Sequence, residues 1–203
     1  SRQLGAGGIA LGRRIAARLG AAYVDREILR RAAEELGAPA EELGPLEETA
    51  PSVWQALLQS FVAAPYVGYV APPLTGPGTG ELQRAEAAVM IEIARQRDAV
   101  IVGRAGFHVL AAHPRHLSVF LHADEVFRRR QVELEYEMST EEAQATLRET
   151  DRTRARYLHS LTGREWTDSR QYHLALRTSA LGLPAAEEVL VRAACARFGL
   201  GER

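Results

Sequence analysis

Ser1-Arg2-Gln3-Leu4-Gly5-Ala6-Gly7-Gly8-Ile9-Ala10, continued by Leu11, Ile15 and Leu19, decides the fold. Three glycines within four residues predict a tight turn, and the apolar spacing behind them predicts a helix entered directly from it. Gly20 ends that helix, and Ala21-Ala22-Tyr23-Val24 reads as a short buried strand closing at Asp25. Such a turn is an anion site in outline. Glycines let backbone N–H groups approach phosphate oxygens, and the positive end of the following helix points the same way. The strand feeding the turn is expected to lie mostly before Ser1.

Outward from this turn, helices and strands alternate. A helix is expected through Ile28, Leu29, Ala32, Ala33 and Leu36 to Gly37, and another from Glu81 to Arg97 with Ala85, Ala88, Val89, Ile91 and Ile93 on its apolar side. Ala99 to Arg104 reads as a buried parallel-type strand with a sharp turn behind it, and Leu117 to His122 as another. Asp124 to Glu137 is a helix carrying Arg128, Arg129 and Arg130. Ser139-Thr140-Glu141-Glu142 has the form of a capping box and starts a helix towards Tyr157. Tyr172 to Thr178 gives a last strand and Leu183 to Phe198 a closing amphipathic helix. Alternation throughout predicts an α/β domain around a parallel sheet.

The 203 residues, 46% of them hydrophobic and with a net charge of −1, suit one well-cored domain and offer no surplus of cations for a dedicated nucleic-acid binder. All 25 basic residues are arginine; there is no lysine and no asparagine. Mechanisms that require a lysine are excluded, and biased composition lowers the weight of any single arginine cluster. Cys195 alone excludes a disulfide framework, which with no leader-like segment makes the cytoplasm the expected compartment. From Thr49 to Gly80 there is no charged residue, but five prolines and four glycines interrupt any membrane-spanning helix. Trp54, Phe61, Tyr66 and Tyr69 make this segment a hinged cover or a self-association surface, the latter giving a homodimer; an ordinary helix from Ser52 to Val62 followed by a loop is the plainer alternative.

Two phosphate-binding folds compete for the glycine turn. Gly5 to Ala10 fits G-x-G-x-x-A, and Asp25 follows Gly5 by 20 residues, as in a dinucleotide-binding fold of a nicotinamide-dependent oxidoreductase. Arg26, Arg30 and Arg31 directly behind Asp25 would crowd a ribose site there. The later elements instead suit a nucleoside monophosphate kinase. Taken together, Ser1 to Gly8, Tyr23-Val24-Asp25-Arg26-Glu27-Ile28, Val100-Ile101-Val102-Gly103-Arg104, Phe120-Leu121-His122-Ala123, Asp151-x-x-Arg154-x-x-Tyr157 and Tyr172 through Ser179 resemble the cytidylate kinase-like family of P-loop kinases over nearly the whole chain.

The resemblance implies an α/β, three-layer P-loop kinase-like fold in a single domain, 1–203. It has a central parallel sheet, a helical acceptor-binding insertion at 45–82 and lid helices within 124–170. It implies ATP and Mg²⁺, and a nucleotide or other small molecule as acceptor. Phosphate binding falls to Gly5, Ala6, Gly7, Gly8 and Ile9; Ile9 replaces a metal-binding hydroxyl, leaving Mg²⁺ to nucleotide phosphates and water. Matched to an authentic cytidylate kinase, the loop puts Gly8 at the lysine and Arg2 at the first glycine. The charge on the migrating phosphoryl group must then be met by Arg2, or by Arg128 and Arg130, unless these are solvated helix surface.

The acceptor side falls to Asp25, Arg26, Arg104, Asp151 and Arg154. Asp25 is equally suited to a ribose hydroxyl and to capping the next helix. Arg104, at a strand end, favours an acceptor phosphate over a structural ion pair, while the plainer reading of Asp151 and Arg154 is an i,i+3 surface pair. Arg13, Arg14 and Arg18 read as solvated surface. Two departures stand out. Ala105 replaces the aspartate that follows this arginine in true cytidylate kinases, and Thr150 and Arg154 occupy the positions that read cytosine, so that specificity does not carry over. His113 and His116 read as a polar loop. A nucleotide-binding pseudokinase without turnover is the rival class.

Overall fold

The computed structural model describes residues 1–25, 28 and 79–201. Arg26, the helix expected after it, nearly all of the uncharged segment and most of the 45–82 insertion lie outside the described residues. The helices are α1 (Gly8–Leu19), α2 (Thr79–Gln96), α3 (Gly106–Val109), α4 (Glu125–Tyr136), α5 (Thr140–Thr162), α6 (Thr178–Leu181) and α7 (Leu183–Phe198). The strands are β1 (Ala22–Val24), β2 (Ala99–Ile101), β3 (Val119–His122) and β4 (Leu174–Arg177).

Among the described residues every strand pairing is parallel: β1 with β2, with Tyr23 opposite Val100, and β3 with β4, with Phe120 opposite Ala175. Parallel neighbours need crossovers, which the intervening helices supply. Residues 1–3 run alongside β3. Arg2 bridges Leu121 in parallel, the Gln3 N–H donates to the Leu121 carbonyl at 2.9 Å, and Leu121 N–H donates to the Ser1 carbonyl at 3.0 Å. The glycine turn is thus tied to β3 at the carboxyl end of the strands.

The core lies on both sides of these strands. Leu11 and Ile15 of α1 pack with Leu121 and with Ala186, Leu190, Val191 and Cys195 of α7. In a second cluster, Val24 and Ile28 meet Ala85, Val89, Met90 and Ile93 of α2. This corrects the expected apolar stripe of α2. Ala88 is exposed, while Met90 and, against its chemistry, Glu86 are buried. Residues 86, 89, 90 and 93 follow the 3.6-residue period of one helix face.

Helix ends follow local chemistry. The Gly20 N–H, in the left-handed region, donates back to the Ala16 and Ala17 carbonyls and stops α1. Ser139 and Glu142 form the expected capping box of α5, which runs five residues beyond Tyr157 to Thr162. Pro184 sits in the first turn of α7, where its missing N–H has no helical partner to lose. Among the described residues, no helix is long and apolar enough to cross a membrane.

Candidate functional site

The glycine turn is shaped by close approach on three sides. Gly5 and Gly7 have positive φ, 73° and 78°, the region that favours glycine. A Cβ on Gly5 would strike the backbone of Arg128 at the start of α4, and one on Gly7 a methyl of Leu183. Ala6 is fully buried, and its carbonyl accepts from the buried Thr178 hydroxyl at 3.1 Å. Behind the turn, Leu11 N–H closes the first helical bond to Gly7, so the N–H groups of Gly8, Ile9 and Ala10 precede the helix's own acceptors and can serve an anion.

Arg2 stands over this helix end. A Cβ on Gly8 would come 2.6 Å from Cγ and 3.0 Å from Cβ of Arg2, and one on Gly103 would meet the Arg2 guanidinium. The side chain therefore runs from above Gly8 across to the end of β2. Burial lowers its pKa, with Arg104 pulling the same way and Asp25 opposing. Arg154, on α5, donates from Nη1 to the Arg2 carbonyl at 3.2 Å; burial and the Arg2 charge bring its pKa down to about 9, so it stays charged at neutral pH.

Asp25 accepts from the Tyr23 hydroxyl at 3.3 Å. Arg13 is exposed, as expected, and its guanidinium lies 5.5 Å from the Tyr23 ring centre. Arg14 and Arg18 pair with Glu187 of α7.

Arg104 lies in a run of three left-handed residues: Gly103 at φ 88°, Arg104 at 50° and Ala105 at 54°. For the two non-glycine residues this conformation costs about 1–2 kcal/mol each. The buried Arg104 guanidinium lies 3.4 Å from Oε1 of Glu86, whose Oε2 accepts from the Tyr157 hydroxyl at 2.8 Å. The ion pair weighed against an acceptor phosphate is therefore present. Burial raises the Glu86 pKa, opposed by Arg104 and Tyr157. Nothing in the sequence reading singled out Glu86; the available signal was an acid on the apolar stripe of α2.

Arg128 and Asp151 pair with each other at 2.5 Å, not Asp151 with Arg154. Asp151 also accepts from Leu4 N–H at 3.1 Å, and Arg128 reaches the Leu4 carbonyl at 3.4 Å. This network, which engages Arg128, fastens α4 and α5 to the residue before the turn. Arg130 is exposed on α4, and Arg129 pairs with Glu133.

One cavity of about 1130 Å³ brings together Arg2, Gly8, Ile9, Asp25, Arg104 and Arg154 of the expected site, with Tyr23, Tyr136 and Tyr157 on its wall. Gly5, Ala6, Gly7, Arg128, Arg130 and Asp151 are not among its described lining residues. No group of three or more His, Cys, Asp or Glu among the described residues is placed to hold a metal ion.

A family model described as the cytidylate kinase-like family matches residues 1–180. In shape, the chain is similar to an uncharacterized protein from Eubacterium ventriosum, at a TM-score of 0.69 and 15% identity over 95% of this chain and 94% of that one. It is also similar to shikimate kinase from Bacteroides thetaiotaomicron, at 0.51 and 12% over 95% and 94%. No curated protein matches.

Proposed function

The chain belongs to the cytidylate kinase-like family, and from that premise we propose that it is a phosphotransferase moving the γ-phosphoryl group of ATP to a nucleotide or other small acceptor. The observation that supports this most is the path of Arg2, whose stem lies across Gly8 and whose guanidinium reaches Gly103 beside Arg104. Gly8 is the position where the resemblance expects the phosphate-bridging lysine. A cation standing over it from a neighbouring backbone position is the substitution that a lysine-free chain needs.

In this reading the N–H groups of Gly8, Ile9 and Ala10 hold donor phosphates, and Arg104 and Arg154 hold the acceptor. An acceptor oxygen attacks the γ-phosphorus, the bond to the bridging β–γ oxygen breaks, and ADP leaves with that oxygen. Arg2 meets the charge that spreads over the transferred group. Mg²⁺ would be carried by the nucleotide's phosphates and water, residue 9 being isoleucine, and neutralises phosphate charge when bound. Arg2, Arg104 and Arg154 cluster, and, beyond burial, the Arg104 charge lowers the Arg2 pKa and the Arg2 charge lowers that of Arg154, which favours a ligand with two or more negative charges.

The rival, a nucleotide-binding pseudokinase, draws on Gly8 itself and on the packing of Arg128 and Leu183 against the turn. The dinucleotide reading loses its ground to the family match. Thermal unfolding with ATP and with NAD tests the binding half of the proposal. At about 100 times Kd, ATP stabilises by about 2.7 kcal/mol, and NAD leaves the melting temperature where it was. Stabilisation by NAD alone contradicts the reading.

A further inference from the structure

We propose that Glu86 is a positioning residue that holds the Arg104 guanidinium at the acceptor side of the cavity and joins it to the lid helix; this rests on the phosphotransferase reading above. Glu86 is 1% exposed on α2, with one carboxylate oxygen 3.4 Å from Arg104 and the other accepting from Tyr157 of α5 at 2.8 Å. Three elements that flank the acceptor side therefore meet on one buried acid: α2, the end of β2 and α5.

Burying an ion pair is no general route to stability, because desolvation offsets the attraction and an apolar side chain of similar size often packs as well. A carboxylate kept inside an apolar helix stripe calls for another role. Arg104 supplies it. Its backbone sits in the left-handed region, and a long side chain leaving a strained turn has several rotamers open to it. Glu86 selects the one that lies along the cavity wall. The Tyr157 hydroxyl in turn fixes which way the carboxylate faces, so the position of α5 is read by the acceptor site through two contacts. Ala105 strengthens the case, since the residue next to Arg104 has no side-chain oxygen to do this work.

The experiment compares wild-type protein with Glu86→Leu, Glu86→Gln and Tyr157→Phe. Acceptor KM and kcat are measured separately, and stabilisation by inorganic pyrophosphate is followed by thermal shift. Leucine fills the volume without polar contacts. It should raise acceptor KM at least tenfold with kcat changed less than threefold, and should cut the pyrophosphate shift. Glutamine has one oxygen, which can accept from Arg104 while its amide N–H donates to the Tyr157 oxygen, so it should restore part of both. Tyr157→Phe, which keeps the fold should Glu86→Leu unfold, should raise KM several-fold in the same direction. Variants indistinguishable from wild type in KM, or a glutamine variant no better than leucine, overturn the inference alone. A wild-type chain that neither transfers phosphate nor responds to pyrophosphate overturns the reading beneath it and the inference with it.

Discussion

The side chain of Arg2 lies across Gly8 so closely that a Cβ on Gly8 would stand 2.6 Å from the Arg2 Cγ. Residue 8 is glycine here because residue 2 uses the space. Gly8→Ala should therefore destabilise the protein by about 1–3 kcal/mol through overpacking, although alanine is the better helix former by about 1 kcal/mol. With Arg2→Ala in the background, which removes Cγ and leaves only the Cβ contact at 3.0 Å, the same change should cost clearly less. Urea unfolding of the four proteins checks this; additivity within about 0.5 kcal/mol would show that the two residues do not share that space.

Thr178 is fully buried, and its hydroxyl serves the carbonyls of Ala6 and His122 at 3.1 and 3.3 Å. Thr178→Val keeps the shape but strips both carbonyls of their donor, an expected loss of about 1–3 kcal/mol. Thr178→Ser keeps the donor and should retain most of it. Equal unfolding midpoints for the serine and valine variants would remove the hydroxyl from the account.

Asp151 anchors Leu4 N–H and Arg128 together. Asp151→Ala should cost about 3 kcal/mol, because both groups are left partly buried and unpaired. Arg128→Ala added to it should cost little more. Hydrogen exchange of the Leu4 amide reports the anchor directly and should accelerate in both variants that lack Asp151.

The capping box of α5 is exposed and gives a pH-dependent signature. Ser139→Ala should lose about 1 kcal/mol. The Ser139 hydroxyl and N–H hold the Glu142 carboxyl below the usual carboxylate range. A depressed folded pKa means that its contribution is complete above the ordinary value of about 4.3 and is lost as the pH falls through the lowered one. The stability gap between wild type and Glu142→Gln should accordingly be widest near neutrality and close in acid. A gap that grows on acidification would contradict the assignment.

What could be read from sequence was local. The capping box, the glycine stop at Gly20 and the bounds of Leu183–Phe198 each depend on residues a few positions apart. The site's pairings do not. Arg128 and Asp151 are 23 residues apart, Tyr157 and Glu86 are 71, and Arg154 and Arg2 are 152. Asp151 had a plausible neighbour in Arg154 at i,i+3, and the distant partner prevailed because Arg128 also donates to the Leu4 carbonyl, beside the Leu4 N–H that Asp151 accepts. Glu86 escaped notice because a lone acid in an apolar stripe has no motif. Of the three left-handed residues behind β2, only Gly103 announces itself; Arg104 and Ala105 adopt that conformation under tertiary constraint.

The most direct measurement is transfer of labelled γ-phosphate from ATP to a panel of nucleoside monophosphates and small hydroxyl acceptors, run for wild type and Arg2→Ala. The account predicts transfer by wild type to at least one acceptor, and a fall in kcat of about 10²- to 10³-fold in the variant, which should still bind ATP through the backbone N–H groups of the turn. Wild-type protein that binds ATP yet phosphorylates no acceptor, or an Arg2→Ala variant that turns over as fast as wild type, would contradict it.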